Sequence, residues 1–247
     1  MSDLVICPSG LAGRIRKMKA SEARKVWQRG KYASADPFGD LIEKCWMETI
    51  ELGPYELNGH GQLDWSKVIL GERLCALNAI RIHTLGPLYE FAVTCERPTC
   101  GERIEWEVDL SELSVKEMDE EILAAFANGN RFETVLPGAG CKVWTKVLLG
   151  EDEARLAKRG GASNDLDIID IVKYRTLEVE GVEKHKLSKF FDDLDWDDVV
   201  YLWNFFQEID SGLDTRFDVR CTRCNAVQRV DLPFDQTYLL PQKLPRR

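Results

Sequence analysis

Two stretches of the chain repeat one phrase, FAVTCERPTCGERIEWEVDL at Phe91–Leu110 and FDVRCTRCNAVQRVDL at Phe217–Leu232. Each reads Phe-x-Val-x-Cys, reaches a second cysteine after a short gap, and closes on Val-Asp-Leu. Apolar and polar residues alternate beside the cysteines, which is the period of a half-buried β-strand. The sequence therefore predicts two β-hairpins, each with a pair of cysteines at its tip.

The spacing of these cysteines is typical of metal-binding turns. Four residues separate Cys95 from Cys100, and two separate Cys221 from Cys224. Such a turn brings two sulfurs within reach of one tetrahedral Zn²⁺, with Zn–S bonds of about 2.3 Å. Since one hairpin supplies only half a site, the repeat predicts that both share one four-cysteine Zn²⁺ centre. Three alternatives stay open: iron in place of zinc, four metal-free thiols at hairpin tips, and a redox Cys-x-x-Cys pair.

The neighbouring residues fit a structural metal rather than a catalytic one. Four thiolates on Zn²⁺ carry a local charge of −2, and four arginines lie close by in sequence: Arg97, Arg103, Arg220 and Arg223. We expect them to offset that charge and to help lower the thiol pKa values. A closed site of four cysteines has no open coordination position, so the predicted role is to hold the fold together.

The composition is that of a globular protein, with 44% hydrophobic and 30% charged residues. No apolar run approaches the roughly 20 residues of a membrane helix, and the N-terminus lacks the features of a secretory signal. We therefore expect neither a membrane span nor secretion. Outside an oxidising compartment, eight cysteines are expected to be reduced thiols and metal ligands rather than a disulfide framework.

The net charge of −9 conceals a basic N-terminal arm. Residues 1–31 sum to +6 and the last five residues to +3, which leaves −18 for residues 32–242. Such an arm favours docking onto an acidic surface; the alternative is a solvated helix, or one docked on the chain's own acidic body. Zinc ribbons that bind nucleic acid need a basic surface, so nucleic-acid binding is kept only as the alternative function.

The fold class predicted is α+β, with a helical N-terminal part, a zinc-ribbon-like pair of hairpins, and a long α/β insertion between them. The boundaries are 1–88 for the helical region with its basic arm, 89–110 and 217–240 for the two hairpins, and 111–216 for the insertion. Within the first region, helices are predicted at 19–30, 34–55 and 63–89, the last capped by Asp64. The tail after Pro233 is predicted to be extended.

Other candidate signals do not combine into a catalytic site. Four cysteines stand alone in the sequence: Cys7, Cys45, Cys75 and Cys141. The last three fall within helix or strand patterns and are predicted to be core thiols. The acidic run at 192–198 is read as the favourable charge of a helix N-terminus, with Asp195 as its cap. The Gly-His-Gly and Gly-Ala-Gly segments lack the context of a phosphate loop and are read as turns. We therefore expect no enzyme and no small-molecule substrate.

The order and spacing of four segments resemble the baseplate hub assembly family of contractile-tailed, T4-type bacteriophages. The segments that carry the resemblance are GERLCALNAIRIHTLGPLYEFAVTC at 71–95, CGERIEWEVDL at 100–110, VLLGEDE at 147–153 and DTRFDVRCTRCNAVQRVDLPFDQTYLLP at 214–241. Two positions depart from the family pattern. The first cysteine pair is spaced by four residues where relatives have two, and Asn225 stands where relatives have glycine, although asparagine can adopt the same left-handed turn.

The resemblance implies a protein without enzymatic activity that helps to build the baseplate hub by binding other tail proteins. It implies either a structural component of the virion tail baseplate or an assembly chaperone in the host cytoplasm. The basic arm and the tail residues Tyr238, Leu239 and Leu240 are the predicted contact surfaces.

Overall fold

The computed structural model describes residues 3–26, 28, 34–159, 167–233 and 236–239. The helices of this part of the chain are α1 Ala20–Val26, α2 Pro37–Cys45, α3 Leu70–Leu85, α4 Glu120–Ala127, α5 Gly150–Arg159, α6 Ile168–Arg175, α7 Leu187–Asp192 and α8 Trp196–Ile209. Its strands are β1 Leu4–Ile6, β2 Leu11–Ile15, β3 Trp46–Leu52, β4 Leu88–Thr94, β5 Arg103–Asp109, β6 Val115–Lys116, β7 Phe132–Val135, β8 Lys142–Thr145, β9 Thr176–Val179, β10 Gly212–Leu213, β11 Arg216–Arg220 and β12 Val227–Asp231.

The strands form small antiparallel sheets, which confirms a mixed chain of helices and hairpins. Two sheets have three strands each, in the orders β1-β2-β3 and β7-β8-β9. The cysteine hairpins β4-β5 and β11-β12 are separate two-stranded sheets. The short pair β6-β10 joins the beginning of the predicted insertion to its end, and thereby brings the two hairpins towards each other.

The predicted helix at 34–55 is wrong in its second half. α2 begins at Pro37, where the Asp36 carboxylate accepts the backbone N–H of Gly39, and it ends at Cys45. The chain then continues as β3, which pairs with β2. Gly13 in β2 decides this local packing, because a Cβ there would lie 2.2 Å from the Trp46 ring. The N-terminal region thus contains a three-stranded sheet as well as helices, since pairing with a distant strand outweighs the local helical period.

The predicted helix at 63–89 is two elements rather than one. Asp64 caps a single 3₁₀ turn, Trp65–Lys67, by accepting the backbone N–H of Ser66. The long helix α3 starts three residues later and ends at Leu85, where Gly86 caps it with a φ of 93° that few other residues adopt. Since β4 begins two residues further on, α3 fixes where the first hairpin leaves the core.

The prediction that the tail is extended and forms a contact surface is wrong for the described residues Gln236–Leu239. Gln236–Leu239 form a 3₁₀ turn, and both Tyr238 and Leu239 are buried. The Tyr238 ring packs edge-on against Tyr89, 5.3 Å between centroids, and its hydroxyl donates to Asn78. These aromatic and leucine side chains are therefore part of the core instead of a contact surface. Leu240 lies outside the described residues.

The main core contains side chains from the predicted N-terminal region and from the predicted insertion alike. Ile80 of α3, Val143 of β8 and Leu202 of α8 belong to the same buried cluster. The four residues Cys95, Ile104, Val219 and Cys221 form a second, separate cluster between the two hairpins. The boundaries at 88, 110 and 216 stay a prediction.

Asp198 holds the turn between β7 and β8. Its carboxylate is fully buried and accepts the backbone N–H groups of Gly138 and Ala139, each at 2.8 Å. The Gly-Ala-Gly segment is therefore confirmed as a turn. Asp198, one acid of the run at 192–198, accepts hydrogen bonds from this turn rather than from the N-terminus of α8. Asp195 occupies the N-cap position of α8 without a side-chain capping bond.

Replacing Asp198 by alanine is expected to cost about 2–4 kcal/mol, because two backbone N–H groups lose a charged and buried acceptor. Urea unfolding of D198A against wild type measures this. The control is Asp193→Ala, an exposed acid in the same run, expected to change the free energy of unfolding by less than about 0.5 kcal/mol. Equal effects of the two substitutions would contradict the assignment.

Candidate metal centre

The two predicted cysteine hairpins are present, and each is a regular antiparallel pair of strands. In the first, β4 pairs with β5 so that Phe91 lies opposite Trp106. In the second, β11 pairs with β12 so that Phe217 lies opposite Val230. The rings of Phe91 and Phe217 lie 6.4 Å apart, so the same position of the repeated phrase meets across the two hairpins.

The two cysteine turns also share their backbone hydrogen bonds. The N–H of Cys95 donates to the carbonyl of Glu102, and the N–H of Cys221 donates to that of Ala226, both at 2.8 Å. In each case the acceptor comes two residues after the second cysteine of the pair. The four-residue and two-residue spacings are therefore accommodated within equivalent turns.

A residue with left-handed backbone follows the second cysteine of each turn. These residues are Gly101 with φ of 59° and Asn225 with φ of 58°. Glycine adopts this conformation without steric cost, and asparagine is among the few other residues that do so readily. The expectation that Asn225 adopts a left-handed turn is thus confirmed.

The four sulfurs converge on one point between the hairpins. Sγ of Cys95 lies 3.7 Å from Sγ of Cys224, and Sγ of Cys100 lies 3.7 Å from Sγ of Cys221. All four sulfurs lie within 4.8 Å of one another. A tetrahedron with metal–sulfur bonds of about 2.3 Å has edges of about 3.8 Å. The cluster has the size that a tetrahedral metal ion requires, and it could hold one.

The chemistry of the donors agrees with this size. All eight cysteines of the chain are free thiols, so no disulfide competes for the four at the centre. Cys95 and Cys221 are buried, while Cys100 and Cys224 are partly accessible. A set of four thiolates selects zinc, or iron, over hard cations such as Mg²⁺ or Ca²⁺.

Backbone N–H groups, rather than arginine side chains, point at the sulfurs. The N–H groups of Arg97, Glu102 and Ala226 hydrogen-bond to the sulfurs of Cys95, Cys100 and Cys224, respectively. The bond from Ala226, aided by the other three sulfurs, lowers the pKa of the Cys224 thiol to about 6. A first thiolate can therefore form near neutral pH, which is the state that binds metal.

The thiols of Cys95 and Cys100 both have a raised pKa and are harder to ionise without a cation. At Cys95 the N–H of Arg97 lowers the thiol pKa, but burial and the other three sulfurs outweigh it and raise the pKa to about 12. The four predicted flanking arginines are all exposed. Arg223 approaches Glu102 at 3.5 Å, a weak surface pair across the two turns.

One residue that the sequence patterns do not reveal connects the two hairpins at the centre. The side-chain amide of Gln228 in β12 donates to the carbonyl of Thr94 and accepts the N–H of Glu96, each at 3.0 Å. Gln228 thus binds the residue on either side of Cys95 from the opposite hairpin. A polar residue within a strand pattern gives no sign of such a partner, because the partner is more than 130 residues away in sequence.

Replacing Gln228 by alanine is expected to loosen the contact between the hairpins and to weaken metal retention about tenfold. Both hydrogen bonds support residues next to a ligand, and loss of outer-shell support typically costs metal affinity by 10-fold or more. Competition with a chromophoric chelator measures the affinity. Arg229→Ala, on the exposed side of the same strand, is the control and should leave the affinity within about twofold of wild type. An unchanged affinity in Q228A would contradict this role.

The four cysteines outside the centre are the three predicted core thiols, Cys45, Cys75 and Cys141, and Cys7, for which the sequence predicts no role. Cys7, Cys45 and Cys75 are buried, and Cys141 is partly buried. Burial raises the pKa of Cys45 to about 11 and that of Cys75 to about 12, which makes both unreactive at neutral pH. Among the described residues, the four cysteines at the centre are the one group of three or more metal-type side chains close enough to share an ion.

The chain was compared with known proteins. A family model described as T4 bacteriophage base plate protein matches residues 64–235, more than half of the 247 residues. Searches of curated proteins and of solved structures returned no match. Within the part of the chain that the structure describes, none of the helices combines the length and the apolar character of a membrane span.

Proposed function

The chain belongs to the T4 bacteriophage base plate protein family, and from this membership we propose that it helps to build the baseplate hub by binding other tail proteins. The match covers both cysteine hairpins and the insertion between them, so the membership extends to the whole candidate centre. The role is carried out by surfaces rather than by a reaction. It takes place in the tail baseplate, or in the host cytoplasm during assembly.

The four-cysteine centre is proposed to hold one Zn²⁺ through Cys95, Cys100, Cys221 and Cys224. The observation that supports this most directly is the pair of 3.7 Å sulfur–sulfur distances across the hairpins, close to the edge of a zinc–thiolate tetrahedron. When bound, the ion would supply cross-linking of two chain segments and no open coordination position for a substrate. The protein's own contribution is to hold two equivalent turns face to face.

The centre has a mechanical task in this proposal. The second cluster of buried residues is small, with Ile104 and Val219 as its two non-cysteine members. Two-stranded hairpins are marginally stable by themselves, and Cys100 and Cys221 of the two turns are 121 positions apart in sequence. A structural Zn²⁺ contributes on the order of 10 kcal/mol to folding, which is enough to fix both hairpins as one rigid module for assembly.

The proposed role is tested in infected cells with a nonsense mutation in the gene for this chain. We expect lysates without complete tails, restored by the wild-type chain supplied from a plasmid. Quantitative mass spectrometry of wild-type virions then separates the two forms of the role. A fixed copy number per particle indicates a structural component, and absence from particles with abundance in the lysate indicates a chaperone. Normal yields of infectious particles from the mutant would overturn the proposal.

Nucleic-acid binding is the second candidate, and one observation favours it. Four exposed arginines surround the tips of the two hairpins: Arg97, Arg103, Arg220 and Arg223. The net charge of −9 opposes it. Titration of the metal-loaded protein with single-stranded and duplex DNA at low salt decides the matter. Binding that weakens steeply with added salt would support this candidate, and no binding would remove it.

A further inference from the structure

Helix α8 has apolar side chains on two of its sides. The side towards the core carries four buried residues: Val199, Leu202, Phe206 and Ile209. Another side carries Trp196, Val200 and Trp203, which recur at i, i+4 and i+7 and therefore share one face of the helix. Trp196 is 58% exposed and Val200 is 38% exposed, and Trp203 is partly exposed. These three residues are called the outer stripe.

The outer stripe has the character of a docking surface. A helix on the surface of a globular protein turns one apolar face to the core and is normally polar on the other side. Tryptophan is among the residues that dominate the energetics of protein interfaces. Apolar residues at i, i+4 and i+7 are also the pattern by which one helix lies against another. The stripe therefore fits the apolar face of a second helix.

Negative charge surrounds the first turn of α8. Residues 190–215 contain eight aspartates and glutamates and no lysine, arginine or histidine. Four of the eight have a partner within the fold: Asp192, Asp198, Asp210 and Asp214. Three others flank Trp196, are exposed and form no ion pair with a described residue: Asp193, Asp195 and Asp197. Lys189, four residues before Asp193, is exposed as well, so three acids and one lysine leave an excess of two negative charges at this end of the stripe.

The last turn of α8 has no such excess. Glu208 is exposed there, and the ammonium group of Lys116 donates to the backbone carbonyls of Gln207 and Glu208. One acid and one lysine balance each other. The outer stripe thus runs from an acidic end to a balanced end, and electrostatic complementarity favours a partner whose cations lie beside the acidic end.

A second copy of the chain does not supply this complement. Two α8 helices packed in parallel would bring their acidic ends together. Packed antiparallel, each acidic end would face a last turn whose charges balance and whose helix dipole is negative. The basic arm of a second copy has the charge but not the apolar face, because the exposed positions of its helix α1 are Ala20, Ser21, Arg24 and Lys25, while Ala23 and Val26 are buried.

We propose that the outer stripe binds an amphipathic, cationic helix of another tail protein. Its apolar side chains lie against Trp196, Val200 and Trp203, and its lysines or arginines lie beside the acidic first turn of α8. The inference rests on the proposed function, because it names the surface and the kind of partner through which the chain helps to build the hub.

A model peptide tests the chemistry of the surface. The peptide has about 20 residues, with leucines at i, i+3, i+4 and i+7 and lysines elsewhere, and it is titrated into the metal-loaded full chain by fluorescence anisotropy. The W196A/V200S variant should bind it about tenfold or more weakly than wild type, because a tryptophan at the centre of an interface carries much of the affinity. The control I6S/M47S changes two exposed apolar residues of β1 and β3 and should stay within about twofold of wild type.

Charge is tested with the same titration. The D195K/D197K variant should also weaken binding and should reduce its dependence on salt. A peptide with glutamates in place of the lysines should bind at least about tenfold more weakly. Equal binding of the peptide to wild type and to W196A/V200S would overturn the proposal, and so would equal binding of the two peptides. Self-association of wild type that W196A/V200S abolishes would assign the stripe to a second copy and overturn it as well.

Infected cells that carry the nonsense mutation separate this inference from the proposed function. A plasmid that supplies W196A/V200S should restore about tenfold fewer infectious particles than one that supplies wild type or I6S/M47S. Normal yields without any plasmid would contradict the proposed function itself. Full rescue by W196A/V200S, in cells that need the plasmid, would contradict the inference alone. Circular dichroism and metal content matched to wild type exclude misfolding of the variant.

Discussion

Cys221→Ser is expected to remove the bound metal and to unfold the two-hairpin module. Cys221 is fully buried, and its sulfur lies 3.7 Å from that of Cys100. Losing one of four thiolates should forfeit much of the roughly 10 kcal/mol that a structural Zn²⁺ contributes. A typical single substitution costs about 1 kcal/mol. Elemental analysis gives the metal content, and hydrogen exchange of β4, β5, β11 and β12 reports the unfolding.

The matched control is Cys75→Ser, at a buried thiol in α3 away from the centre. It should lower the melting temperature modestly while keeping the full metal content and the exchange protection of the hairpins. A C221S variant that kept one metal per chain and the wild-type melting temperature would show that the centre does not hold the module together.

Arg81→Ala is expected to lower the free energy of unfolding by about 3–5 kcal/mol. It removes a buried side chain and leaves three backbone carbonyls without their hydrogen-bond donor. The guanidinium is fully buried in α3 and donates to the backbone carbonyls of Gly86, Leu88 and Tyr238. It also lies 5.2 Å from the centre of the Tyr89 ring. Arg81 thereby joins the end of α3 to the beginning of the first hairpin and to the tail turn. Urea unfolding of the variant measures the cost.

Two further variants separate geometry from charge at this position. Arg81→Lys keeps the charge but cannot reach three divergent carbonyls, so it should recover only a minor part of the loss. Arg131→Ala removes an exposed arginine that pairs with Glu178 and should cost less than about 1 kcal/mol. An R81K variant as stable as wild type would mean that charge alone matters at this site.

The centre was the part of the molecule most accessible from sequence. Its sequence signals are local: a pair of cysteines, the alternation of apolar and polar residues beside the pair, and a glycine or asparagine after it. All three occur in both hairpins. The convergence of the two hairpins could be predicted because each pair of cysteines supplies only two of the four ligands of a tetrahedral metal ion. Gln228 was not accessible, because its partners lie in the other hairpin and nothing in its own strand marks it.

Elements that depend on distant contacts were predicted less well. The helical period continues past Cys45, but pairing of Trp46–Leu52 with β2 converts that segment into a strand. Burial of Tyr238 against Tyr89 and Asn78 turns a tail predicted as a contact surface into part of the core. Asp198 was predicted only as one acid of a helix N-terminus, whereas its carboxylate serves a turn about 60 residues earlier.

The central claim, a four-cysteine zinc centre that joins the two hairpins, is tested most directly by metal analysis of the purified wild-type chain. Inductively coupled plasma mass spectrometry, together with titration of accessible thiols, should give one zinc per chain, little iron, and four thiols protected until a chelator is added. Iron with visible absorption would keep the centre and change the metal. A chain without stoichiometric metal, whose Cys95, Cys100, Cys221 and Cys224 react freely while the hairpins stay folded, would contradict the account.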